Sequence, residues 1–163
     1  MEKVNSPKTQ PKDFFLHLLA IITLYASAIA FTTLIFQYIN LWLPDVLEDY
    51  YYLGARGLAR GALATLIVVF PIFLYTNRHL NKEYKINPEK RSLRIRKWLI
   101  YFTLFVAAII LIVDLVALVR NFLEGELTLR FGLKVLTVGF VTGSIFGYYL
   151  NDVKKDKAQN QPE

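Results

Sequence analysis

Residues 14–38, 61–75, 98–119 and 135–150 form four apolar stretches with almost no charge, and they commit this chain to a lipid solvent. A helix rises ~1.5 Å per residue and the hydrocarbon core is ~30 Å thick, so about 20 apolar residues are needed per crossing. The first and third stretches reach that length alone. The second and fourth reach it when Arg60 and Lys134 stand at the outer boundary, which gives spans at 14–38, 57–76, 98–119 and 132–150. The connections are short and the ends polar, so one membrane domain over residues 14–151 is expected between tails at 1–13 and 152–163 that read as mobile.

Charge sets the orientation. Of the 19 Lys and Arg, most fall in the two tails and the central connection, which carries Arg78, Lys82, Lys85, Lys90, Arg91, Arg94, Arg96 and Lys97. Arg56, Arg60, Arg120, Arg130 and Lys134 lie on the other side, among acids. By the positive-inside rule both termini and the central loop are cytoplasmic. Tyr75, Trp98, Tyr101, Tyr148 and Tyr149 mark the inner boundary, and Tyr38, Trp42 and Tyr50 to Tyr52 the outer one. The fold class expected is therefore all-α, an antiparallel four-helix transmembrane bundle with both ends inside.

Four local patterns refine this picture. A cleaved signal peptide is the competing reading of the start, with Ala26-Ser27-Ala28 as the cleavage site, but the apolar run continues through Phe36 as an uncleaved anchor requires. Residues 44–53 open with Pro44 and acids, with Val46, Leu47, Tyr50 and Tyr51 behind them, the pattern of a short helix lying on the outer surface. Asn87-Pro88-Glu89 pairs a capping residue with a Pro suited to the first helical position, so the third helix is expected to begin there. Pro71 inside the second span predicts a kink.

The basic run from Lys90 to Trp98 reads first as a topological determinant with snorkelling anchors. Arg91, Arg94, Arg96 and Lys97 are its candidates for meeting anionic lipid headgroups, at ~1 kcal/mol per basic residue. Nucleic-acid recognition has no other support in the sequence.

Small residues and buried charges supply the remaining signals. Gly139, Gly143 and Gly147 recur at four-residue spacing, which lines them on one helix face and admits another backbone closely. Gly57 and Gly61 begin a similar face, and Ala26 with Ala30 a weaker one. Packing within the monomer's own bundle is the preferred reading of the glycines, and a dimer seam or partner site the alternative. Asp114, Arg60 and Lys134 each fall 15 or 16 residues from an inner-boundary aromatic, so three helices bring charges to a level ~22 to 24 Å above that boundary. An unpaired charge at the centre of a span costs ~2.5 to 3.5 kcal/mol, so pairing of Asp114 with Arg60 or Lys134 is the expected solution. A functional version of the same cluster is an outward-opening pocket, reinforced by Gln37, Thr65, Thr137 and Arg56.

His17 and His79 both fall on the inner side, where imidazoles on neighbouring helices can hold a haem. That reading is weak, because His79 follows Asn77-Arg78 into the headgroup region and no second pair exists. The chain has no cysteine, which removes disulfides, thiol chemistry and thiolate metal sites. No residue pattern reads as a catalytic, metal or cofactor site.

Gly125-Glu126-Leu127-Thr128-Leu129-Arg130-Phe131, Lys134-Val135-Leu136 and Tyr148-Tyr149-Leu150 together resemble the C-terminal signature of a bacterial family of small four-helix membrane proteins known only as a domain of unknown function. The stretch from Asn87-Pro88-Glu89 to Leu104-Phe105-Val106-Ala107-Ala108 is similar to its third helix. The resemblance implies a four-helix domain of the bacterial cytoplasmic membrane and no activity. It draws attention to Glu126, Thr128, Arg130 and Lys134 at the outer entry of the fourth helix, whose physical reading is capping and interfacial anchoring, with Thr128 the cap.

The functional expectation is a non-catalytic membrane protein that associates with itself or with another membrane component by helix–helix contact through the glycine face. The alternatives are a small channel or transport module built on Asp114, Arg60 and Lys134 and, more distantly, a haem-binding redox subunit.

Overall fold

The computed structural model describes residues 10–43, 51–125 and 128–159. It contains four long helices: α1 Pro11–Trp42, α2 Tyr51–Ile86, α3 Arg94–Leu123 and α4 Leu129–Gln159, with a 3-10 turn at Pro88–Ser92 between α2 and α3. No strand occurs among the described residues, and all four helices are long and apolar enough to cross a membrane.

Local chemistry accounts for the ends. Pro11 occupies the first turn of α1, where its missing N–H is not needed, and the Gln10 carbonyl accepts from the N–H groups of Asp13 and Phe14. Gly125 takes a left-handed φ of 74° just after α3, a conformation glycine reaches without a Cβ penalty. The Thr128 hydroxyl accepts from the Phe131 N–H at 3.2 Å, so the expected cap opens α4.

Sequence neighbours pair: α1 lies along α2 and α3 along α4, while α1 alone among the helices packs on all three others. Contacts at both ends fix the antiparallel sense. Asp13 and His17 at the start of α1 meet Lys90 and Tyr84 at and beyond the end of α2, and Arg96 at the start of α3 meets Asp152 and Asp156 late in α4. At the opposite end Arg130 of α4 donates to Asn40 of α1 at 3.0 Å.

Lipid tails are as apolar as leucine, so helices in a bilayer associate by close packing and interhelical hydrogen bonds rather than by escape from solvent. The buried seams follow that logic. They hold Ala20, Thr23, Ser27 and Ala30 on α1, Ala55, Ala62 and Thr76 on α2, and Thr103 and Ala107 on α3. Thr103, at 1% exposure, is the most enclosed; it donates to the Leu99 carbonyl and accepts from the Tyr25 hydroxyl. Large apolar side chains such as Ile29, Ile67, Phe105 and Phe140 point outward, where lipid covers them.

Several boundaries depart from the sequence expectation. The helix after Asn87 does not run on into α3: the 3-10 turn ends at Ser92, and α3 restarts at Arg94 beyond Leu93. α4 continues through Asp152 and Asp156 to Gln159, so most of the segment read as a mobile tail is ordered helix; two carboxylates bound to Arg96 hold it. Pro71 lies inside α2, within the second span as expected. Residues 44–50 of the expected surface helix lie outside the described residues, and Tyr51 to Leu53 form the first turn of α2.

Candidate functional site

The face of α3 that packs inward carries Arg96, Ile100, Thr103 and Ala107 and continues from the cap residue Leu93, an i, i+3, i+4 progression that is buried throughout. Arg96 is thus carried into the bundle by the same periodicity that buries its apolar neighbours. At 3% exposure its guanidinium reaches Asp152 and Asp156 at 2.5 Å each and donates to the Arg91 carbonyl at 2.9 Å. It also stands 5.1 Å above the Tyr84 ring, a cation–π distance. A planar fork of donors suits this many partners; a lysine ammonium would not.

Tyr84 joins this centre to α1. Its hydroxyl lies 2.5 Å from His17 Nε2, and His17 Nδ1 lies 2.6 Å from the Asp13 carbonyl. A carbonyl only accepts, so Nδ1 carries the hydrogen, and in the neutral imidazole Nε2 accepts from the tyrosine hydroxyl. The Asp13 carboxylate meets Lys90 at 3.2 Å, and Lys90 also holds Glu83 at 2.9 Å. The Glu83 hydrogen bond, with Asp13 behind it, lifts the Lys90 ammonium above its ordinary pKa. Arg91 approaches Asp152 at 4.0 Å. One hydrogen-bonded and ion-paired network therefore joins α1, α2, the 3-10 turn, α3 and α4 at the basic end of the bundle. Within it a cavity of about 50 Å³ is bounded by His17, Asn77, Tyr84, Arg96, Tyr148 and Asp152, enough for water.

Above this end the bundle opens sideways. α2 leans on α1 and leaves α4 across a cleft of about 450 Å³. Its walls carry Phe70 and Phe73 from α2 and Phe140 and Ile145 from α4, and its floor is Ser27 and Ala28 of α1. Ser27 is 6% exposed, and its hydroxyl has no hydrogen-bond partner.

The residues singled out from sequence fare differently. Gly139 is the one glycine of its stripe with a neighbour: a Cβ there would meet Asp114 Oδ2 at 3.6 Å, while at Gly143, Gly147, Gly57 and Gly61 it would meet nothing within 4 Å. Packing within the monomer thus falls to alanines and hydroxyls, because α1 crosses α2 on the seam of Ala55, Ala62 and Thr76, and Gly57 and Gly61 lie off it. Asp114 faces α4 at Gly139, Lys134 stands 5.7 Å from the Phe36 ring on α1, and Arg60 is exposed on α2. Asp114 and Arg60 share no ion pair among the described residues, since α2 packs on α1 rather than on α3. Of the headgroup candidates, Arg94 and Lys97 are exposed, but Arg96 turns inward and Arg91 is drawn to Asp152. His17 has both nitrogens hydrogen-bonded, and His79 stacks on Tyr75 of its own helix, so the two imidazoles do not face one another. Glu126 lies outside the described residues, while Arg130 and Lys134 dock the start of α4 on α1 through Asn40 and Phe36.

Sequence reasoning missed Tyr84, Asp13, Asp152 and Asp156. The signal for the acids was their i, i+4 spacing, which puts both on one face if α4 continues. The signal for Arg96 was its place in the stripe from Leu93 to Ala107.

The family described as domain of unknown function DUF5671 matches residues 13–149. No curated protein and no solved structure matches the chain.

Proposed function

The chain belongs to the DUF5671 family, a membership that assigns no activity, and we propose that it is a non-catalytic multi-pass membrane protein that works by receiving another membrane component in the cleft between α2 and α4. The observation that carries this reading is the cleft itself: two helices of one bundle stand apart over a floor supplied by a third, and the gap opens to the bilayer. The polar network at the basic end supports the non-catalytic part. Its acids are engaged by Lys90, Arg91 and Arg96 and its imidazole by Tyr84, so its groups serve to lock helices together. We place that end in the cytoplasm on the charge distribution of the sequence.

A photoactivatable residue at Phe140, on the cleft wall, tests the reading against the same residue at Ile112, which is exposed on α3. An adduct formed in native membranes at Phe140 and not at Ile112 is expected. Equal labelling at the two positions would mean that the cleft takes up nothing beyond bulk lipid.

A further inference from the structure

We propose that the cleft and the polar pocket below it form one groove for a single anionic phospholipid from the leaflet at the Arg96 end, an inference that rests on the cleft reading above. The two cavities share three helices in the same order. On α1 the lining runs from His17, Ala20 and Ile21 to Leu24, Ser27 and Phe31; on α2 from Tyr84, Leu80 and Asn77 to Phe73, Phe70 and Leu66. On α4 it passes from Asp152 and Tyr148 to Ser144 and Phe140. The cavity of about 50 Å³ beside His17 holds water only, so a lipid enters from Asn77, 11 positions and about 16 Å along α2 from Leu66. One leaflet contributes about 15 Å of hydrocarbon, so the groove spans the full depth of an acyl chain whose headgroup sits at the polar end.

The chemistry is graded along that length. The upper part is lined by Phe31, Phe70, Phe73 and Phe140 beside Leu24, Ser27 and Ala28, an apolar slot that suits a flexible chain. The open glycines Gly57, Gly61 and Gly143, which would admit a docked helix backbone closely, lie outside the groove lining. The lower part offers Asn77 and Tyr148, already within 3.5 Å of one another, as hydrogen-bonding groups at the mouth. Charge complementarity selects the headgroup. Asp13, Glu83, Asp152 and Asp156 are paired within the protein, whereas Arg78, Lys85 and Lys155 are exposed on the same two helices, α2 and α4, that carry Asn77 and Tyr148. That end of the bundle therefore carries net positive charge, and a phosphodiester headgroup without a compensating cation suits it.

Native mass spectrometry of the full chain, loaded with phosphatidylglycerol or with phosphatidylcholine of the same acyl chains, tests the proposal. One phosphatidylglycerol is expected to stay bound under conditions that strip phosphatidylcholine. Replacing Arg78→Gln and Lys155→Gln should lower that preference about five-fold per basic group removed. Ser144→Trp, from an exposed position on the cleft wall, should abolish retention of both lipids with an unchanged unfolding transition; Ser144→Leu serves if tryptophan disturbs folding. Equal retention of the two lipids, or a preference that survives both Ser144 variants, overturns the inference. The adduct at Phe140 separates this failure from that of the cleft reading. A neutral lipid or a protein segment captured there leaves the cleft in place and removes the anionic phospholipid, and no cleft-specific adduct removes both.

Discussion

Arg96 Nη2 lies 2.5 Å from Asp152 Oδ2, a contact that ties the first turn of α3 to α4 across 56 positions of sequence. It fastens the α3–α4 pair at the basic end, and the stacking of the same guanidinium on the Tyr84 ring carries that centre across to α2. The guanidinium is nearly sealed and the carboxylate three-quarters covered, so each charge depends on the other for the solvation it has lost.

Arg96→Ala should therefore destabilise the protein by roughly 3 kcal/mol, the low end for breaking a buried pair, since the stranded aspartates keep some solvent. Arg96→Lys should recover only part of this, because one ammonium cannot serve two carboxylates and the Tyr84 face at once. Denaturant titration in micelles measures both. An Arg96→Ala protein as stable as wild type would contradict the network.

His17 and Tyr84 should be coupled. Removing either partner of their hydrogen bond leaves the other buried and unsatisfied, while removing both does not add the two penalties. A double-mutant cycle with His17→Phe and Tyr84→Phe should return a coupling of about 1 kcal/mol. Strict additivity would place the two groups out of contact.

Asp114→Asn and Arg60→Gln should act independently, their effects adding within ~0.5 kcal/mol, because α1 rather than α3 is the neighbour of α2. A coupling well above that in the same unfolding assay would restore the outer charged pocket.

Gly143→Leu should leave the unfolding transition unchanged within ~0.5 kcal/mol, as an open-surface substitution does, since a Cβ at this position meets no atom within 4 Å. If cross-linking nonetheless shows a wild-type oligomer that this variant loses, the glycine face is an intermolecular contact.

Ser27→Ala should be neutral or slightly stabilising in the lipid-free protein, because the hydroxyl is buried without a partner and its removal breaks no bond. A destabilisation above ~1 kcal/mol, the worth of one hydrogen bond, would show that the hydroxyl is satisfied in the folded protein.

Four spans and the cap at Thr128 were legible in the sequence because each rests on local or one-dimensional physics: helix rise against bilayer thickness, a hydroxyl beside its own helix start. The glycine spacing was equally visible but did not fix which residues pack within the monomer. Small residues state that a close approach is permitted, and only the partner's position decides whether it happens; here α1 took the alanines of α2 and left the glycines open.

By itself, then, the sequence determined that this chain is a four-helix membrane protein with a strongly basic end, since solvent transfer and charge count do not depend on which helix neighbours which. The tertiary structure alone decided that Arg96 is an internal clamp rather than a headgroup contact, that α4 extends to supply its carboxylates, that Asp114 and Arg60 stand apart, and that α2 and α4 leave a cleft over α1. Each of these depends on rotation and order of helices, which in a lipid solvent are set by side-chain fit between distant segments and leave no periodic mark in any one of them.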